Sequence, residues 1–283
     1  MNSKLIDTHA HLQFRDFDPD RDEVLHCAHE AGVAAIICVS TNVHTSRTAI
    51  ALAEQHRHVY AAVGIHPISQ SIADMTSAEG IKQIAELAQH PKVIAIGEIG
   101  MDDYWMNYSM PEQPEVFVRQ LELAERLHKP VIIRNRSART EFKHVMRAHG
   151  VANLIGVFQC FPEDLGFPAD LGFPGYLRNI EPVLNFGLHL SFSGNLTFSG
   201  NLNCKKSALQ EIAKQIPLER IILGTDSPYM TPVPHRGKRN EPKYIVHIAN
   251  KLAEIKGLSL AEICHRTTQN AVTLFGLNGI GSR

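Results

Sequence analysis

Eight short apolar runs, separated by amphipathic stretches, leave few ways for this chain to fold. The runs are Leu5–His9, Ala34–Val39, Val59–Gly64, Val93–Glu98, Val131–Arg134, Leu154–Phe158, Leu188–Phe192 and Ile221–Thr225. Each is rich in Val, Ile or Leu, as strands buried on both faces of a parallel sheet should be. Helical patterns lie between them, at Asp22–Glu30, Val43–His56, Ser77–Gln89, Pro114–His128, Ala138–Ala148, Gly175–Asn185, Lys205–Ile216 and Lys243–Lys256. A last helix, Leu260–Phe275, is expected to pack outside. Strand and helix alternating over 283 residues predict an α/β fold, a (β/α)8 TIM barrel formed as a single domain over residues 1–283. A doubly wound open sheet is the alternative. The barrel is preferred because polar residues at the strand ends converge on one chemistry, as a barrel's C-terminal face arranges them.

Composition excludes little. The formal net charge of −1 gives no global pull toward nucleic acid or membrane, so polyanion binding would need a local basic patch. Five widely spaced cysteines without a C-x-x-C pair read as reduced thiols of a cytoplasmic protein. The N-terminus has no long apolar segment, so neither a signal peptide nor a membrane span is expected. Nothing calls for an obligate protein partner.

The chemistry sits at the ends of the apolar runs. In Asp7-Thr8-His9-Ala10-His11 the two histidines share one face of a strand and can offer two imidazoles to one metal ion. Glu98 ends a run so apolar that its carboxylate must be paired, ligated or at the mouth. Asp226 also follows a buried run and would lie beside the first strand once the barrel closes. His9, His11, Glu98 and Asp226 can thus ring a divalent cation such as Mg, Mn or Zn. Asp226 would orient a water or take its proton. His66, before Pro67, is a candidate for phosphate binding or second-layer support. Arg236, Lys238 and Arg239 lie in a turn-rich loop after the last strand, and Arg134, Arg136 and Arg139 follow the fifth. Both groups could grip a phosphodiester backbone. Tyr104 and Trp105 could stack bases or plug the barrel mouth. Two segments, 164–175 and 191–202, each contain a six-residue motif written twice, read as insertions that lengthen loops near the mouth.

These motifs together resemble the TatD family of metal-dependent deoxyribonucleases, amidohydrolase-like barrels. The matching stretches are Asp7–Leu12, Gly64–Pro67, Gly97–Tyr104, Thr225–Tyr229, Pro232–Pro242 and Thr267–Asn270. The resemblance implies hydrolysis of DNA phosphodiesters with divalent metal, often two ions bridged by the glutamate. Two departures stand out. The family pattern has histidine where this chain has Arg134, and again where it has Gln159; those histidines complete the second metal site. Gly224 stands where the pattern usually has glutamate. Arginine has no acceptor and cannot ligate a cation, and Gln159 offers one neutral oxygen. The expectation is one ion rather than two, with Arg134 supplying the missing positive charge and Gln159 marking a weak or lost second site. The alternatives are a mononuclear amidohydrolase-type enzyme acting on another bond, or a barrel that binds nucleic acid with weakened catalysis.

Overall fold

The computed structural model describes residues 4–68, 78–102, 112–136, 139–148, 154–159, 183–198 and 205–277. Eight parallel strands pair in chain order: β1 (Leu5–Ala10), β2 (Val33–Val39), β3 (Val59–Val63), β4 (Val93–Asp102), β5 (Val131–Arg136), β6 (Gly156–Gln159), β7 (His189–Phe192) and β8 (Ile221–Leu223). The helices are α1 (Arg21–Glu30), α2 (Val43–Gln55), α3 (Ala78–Leu87), α4 (Gln113–Leu127), α5 (Arg139–Ala148), α6 (Lys205–Gln215), α7 (Ile245–Lys256) and α8 (Leu260–Phe275). This is the (β/α)8 barrel expected from the apolar runs. The helix expected at Lys243 begins at Ile245, because Pro242–Tyr244 form a tighter 3-10 turn first. The helix expected at 175–185 and the repeat at 164–175 lie largely or wholly outside the described residues, as do Tyr104 and Trp105.

The strands divide their side chains between two apolar layers. Along β2, Ile36 and Cys38 pack outward with the helices, whereas Ala35, Ile37 and Val39 pack inward. The inner layer also takes Ile6, Ala62, Ala95, Ile132, Val157 and Ile222. Helix α8 does more than flank the ring, as Ala271, Leu274 and Phe275 join that inner layer. Asn270 donates to the Leu218 and Ile221 carbonyls, both at 2.8 Å, and Thr268 donates to the Lys4 carbonyl at 2.8 Å. The Thr267–Asn270 motif therefore fastens α8 to the N-terminal end of the ring.

Two register shifts re-aim the strands where chemistry is expected. Asp7 pairs with Ile36 but Ala10 with Cys38, so β1 carries one residue more than β2 across that interval. Ile6 faces inward, so strict alternation without the bulge would aim His9 and His11 outward. With it, Ala10 joins the outer layer and the two histidines turn in. On β4, Gly97 pairs with Ile132 and Ile99 with Ile133, leaving Glu98 as the extra residue. Such bulges redirect side chains and recur beside active sites.

The ring closes at its mouth through backbone bonds and one buried side chain. Ala10 bridges Ser227, Asp226 N–H donates to the His9 carbonyl at 2.8 Å, and His11 N–H donates to the Ser227 carbonyl at 2.8 Å. Buried Asp7 accepts from Thr225 N–H at 2.8 Å and from Thr225 Oγ1 at 2.6 Å. Thr225→Val keeps the shape and removes the hydroxyl. Leaving a buried acceptor short of a donor costs about 1–3 kcal/mol. Urea unfolding of this variant should show a loss of that size, and an unchanged midpoint would refute the account of the closure.

Candidate metal centre

His9 and His11 reach the mouth from β1, and Asp226 meets them from the turn after β8. Their nitrogen and carboxylate atoms all lie within 4.8 Å of one another, and all three residues are buried. His9 Nε2 is 3.3 Å from His11 Nε2, and Asp226 Oδ1 lies 3.5 Å from the first and 3.4 Å from the second. Asp226 adopts φ 59°, a left-handed conformation that aspartate tolerates better than most residues. The turn beyond it is pinned by Asn240, whose amide donates to the Thr225 carbonyl at 2.9 Å and the Tyr229 carbonyl at 2.5 Å.

Space at this junction is tight. A Cβ on Gly224 would stand 2.8 Å from His9 Cβ and 3.0 Å from its backbone nitrogen. Gly224 thus lets the chain leaving β8 pass close beside His9. Gly100, at φ 144°, does the same for β5, since a Cβ there would overlap the Arg134 carbonyl oxygen.

Glu98 stands beside the three-residue cluster. Its Oε2 is 3.9 Å from His9 Nε2 and 3.7 Å from His66 Nε2, and its Oε1 is 3.6 Å from Arg134 NH1. His66 Nδ1 accepts from the Ile68 backbone N–H at 3.1 Å, which leaves the ring hydrogen on Nε2, facing Glu98. In that tautomer His66 is a donor, not a ligand. Gln159, from the end of β6, places its amide against His9 Nδ1.

The electrostatics suit a cation. Burial, with His11 beside it, lowers the His9 pKa to about 3, so its ring stays neutral and available as a ligand. Burial also pushes His66 well down, helped by Arg134. His11 differs: burial lowers its pKa, but the Asp226 hydrogen bond and charge outweigh burial and the net shift is upward. Asp226 would be raised by burial, yet His11, His9 and Arg134 hold it below the usual carboxylate range. Burial raises Glu98, against the opposing pull of Arg134. His11 Nδ1 lies 2.7 Å from the Val39 carbonyl, which fixes a hydrogen there, so the proton given up to a cation is the one on Nε2 facing Asp226. Two imidazoles and an ionised carboxylate at this spacing fit a divalent cation.

The basic loop is partly committed elsewhere. Arg239 pairs with both Asp20 oxygens at 2.9 and 2.6 Å and covers the Phe17 ring at 4.6 Å, holding the loop against the segment before α1. Arg236 donates to the Thr231 carbonyl at 2.9 Å and stacks on Phe198 at 3.9 Å. Lys238 is exposed. Two residues not singled out from sequence flank the ligands. Phe14 stacks on His11 with ring centres 4.7 Å apart, and Tyr229 stands edge-on to it at 6.2 Å while 55% exposed. An exposed aromatic directly after a candidate ligand turn was the available signal for Tyr229.

A parallel barrel with two β1 histidines facing a β8 aspartate has the frame of a metal-dependent hydrolase. The family described as TatD related DNase matches residues 6–276. The metal-dependent hydrolase YabD of Bacillus subtilis, itself uncharacterized, is 36% identical over 97% of this chain and 100% of its own length. The 3'-5' ssDNA/RNA exonuclease TatD of Escherichia coli is 31% identical, over 96% of this chain and 99% of its own. The crystal structure of the TatD homolog YJJV from E. coli superimposes with a TM-score of 0.82 at 27% identity, covering 98% of this chain and 99% of that one. The chain belongs to the TatD family of metal-dependent hydrolases.

Because the His11 pKa is raised, a cation must displace a proton that His11 holds more firmly than a free imidazole would. Zn²⁺ affinity measured by calorimetry should therefore weaken as pH falls through that pKa, with protons released on binding. Affinity independent of pH would contradict this use of His11.

Proposed function

We propose that this protein hydrolyses phosphodiester bonds in single-stranded nucleic acid, DNA foremost, using one divalent cation and Arg134. The observation that carries the reading is the Arg134–Glu98 pair at 3.6 Å beside the His9–His11–Asp226 cluster. A guanidinium fixed there is a permanent positive charge next to the metal ligands.

Charge counting supports a single ion. Glu98 and Asp226 against Arg134 leave one negative charge, which a divalent cation converts to one positive charge. That balances one phosphodiester, whereas a second divalent ion would leave a large uncompensated charge beside an arginine. Bound there, such a cation supplies Lewis acidity toward phosphoryl oxygen and an acidified water. The chain's own groups do the rest. Asp226, held ionised, takes the proton of the attacking water. Arg134 grips a phosphoryl oxygen with its paired N–H groups. His66 offers its Nε2–H to the same phosphate. Tyr229, exposed at the rim, stacks a base, while Lys238 and Arg236 meet the backbone further out. The relative described as a 3'-5' ssDNA/RNA exonuclease supports the choice of substrate. Among the described residues no helix is long and apolar enough to cross a membrane. Unpaired Cys27, Cys38 and Cys264 support a cytoplasmic setting.

Hydrolysis of labelled single-stranded DNA, titrated with Mg²⁺, Mn²⁺ and Zn²⁺, tests the reading. Turnover should require metal and fall by at least about 100-fold in Asp226→Asn, which keeps the backbone but loses the proton acceptor. Metal-loaded protein without turnover would overturn the assignment. Arg134→His should leave activity equal or lower; a large gain with added metal would show that arginine impairs a two-ion site. Tyr229→Ala should weaken binding of single-stranded DNA by about 1–3 kcal/mol, the usual worth of one base stacked on an aromatic ring. Anisotropy titrations would reveal it, and unchanged binding would remove Tyr229 from the substrate path.

A further inference from the structure

We propose that Gln159 is the positioning residue for His9, its amide able to hold either tautomer of that imidazole and so to govern how readily Nε2 is offered to a cation. The inference rests on the reading of this site as a metal centre. The reasoning starts at the Val39 carbonyl, which can only accept. His11 Nδ1, 2.7 Å from it, must therefore carry a hydrogen, and in the neutral ring His11 Nε2 is a lone pair. His9 Nε2 lies 3.3 Å from that lone pair. Gln159, 1% exposed, presents its amide nitrogen to His9 Nδ1, and its Oε1 has no partner among the described residues.

Donation from Gln159 to Nδ1 puts the His9 hydrogen on Nε2, pointing at His11. A relay then runs from Gln159 through His9 and His11 to Val39, and the His9 Nε2 lone pair is not available to a metal. A half-turn of the amide reverses this. Oε1 then accepts from Nδ1–H, and the Nε2 lone pair is released toward Asp226 and His11. The two ends of a glutamine amide are nearly the same size, so the rotation asks for no repacking. Ser191 pairs with Gln159 in register, on the same face of the next strand, and its hydroxyl likewise has no partner among the described residues. A hydroxyl can donate to Oε1 or accept from Nε2, so it is compatible with both orientations. Outer hydrogen bonds of this kind set ligand tautomer and metal affinity. Glutamine at this place is thus assigned a role that does not require it to touch a metal ion.

The test uses full-length wild type, Gln159→Leu and Gln159→Glu. Zn²⁺ affinity is read by calorimetry, and the His9 tautomer by ¹⁵N–¹H correlation of the imidazole rings. Leucine should weaken Zn²⁺ binding by about 10–100-fold. Glutamate, which can only accept, should bind at least as tightly as wild type. In wild type the His9 hydrogen should move from Nε2 to Nδ1 when Zn²⁺ is added. Equal affinity of the leucine variant and wild type, or a tautomer unchanged by Zn²⁺, would overturn the proposal. If leucine disturbs folding, as circular dichroism would show, the glutamate variant and the wild-type spectra still decide. Failure of wild type to bind Zn²⁺ would defeat the metal-centre reading itself, a different outcome from equal affinities.

Discussion

The mouth of this barrel depends on one fully buried carboxylate, Asp7, wedged between the first and last strands. Burial pushes its pKa up to about 7, while donors from Thr225 and the His9 backbone pull the other way. A group poised between those pressures is expensive to place, and its return is geometric. Thr225, the residue it holds, is the immediate neighbour of Asp226. The same stretch of β1 carries His9 and His11. One closure therefore joins the two ends of the chain and brings the imidazoles to the carboxylate, and fold stability and ligand geometry become hard to separate by mutation.

Around that closure the polar groups are layered. The candidate ligands face one another, and a second tier holds each ring: Val39 for His11, the Gln159 amide for His9, the Ile68 N–H for His66. Aromatic side chains enclose the set, with Phe14 flat on His11. Imidazoles so confined lose little freedom on ligation, so more of the intrinsic binding energy is retained.

Much of this was legible in the sequence because parallel strands are buried on both faces and betray themselves as short apolar runs. All eight strands overlap the runs read from the sequence, and the polar residues ending them gather at one mouth. The pairing of His9 with His11 needed only the period of two. Their inward direction was not legible, because a register shift depends on the partner strand. Counted in steps of two from outward-facing Ile96, Glu98 would also point outward, and its bulge alone turns it in. The commitment of Arg239 was hidden too, since Asp20 lies 219 residues away in the chain. A charge run shows that cations are present and not which of them have partners.

The bulges on β1 and β4 carry a consequence for how such a chain can change. Loops around the ring can grow or shrink, since their length does not alter which way a strand side chain points. Inside β1, between Ile6 and His9, loss of one residue would use up the bulge and leave both imidazoles facing inward, one step short of their present reach. Loss of two would exceed what the bulge absorbs and swing both into the helix layer. The face that carries the histidines is thus written as an odd-or-even count as well as a set of residue identities. Divergence by insertion and deletion is open to the loops, whereas in these strands it is confined to the single step that a bulge can absorb.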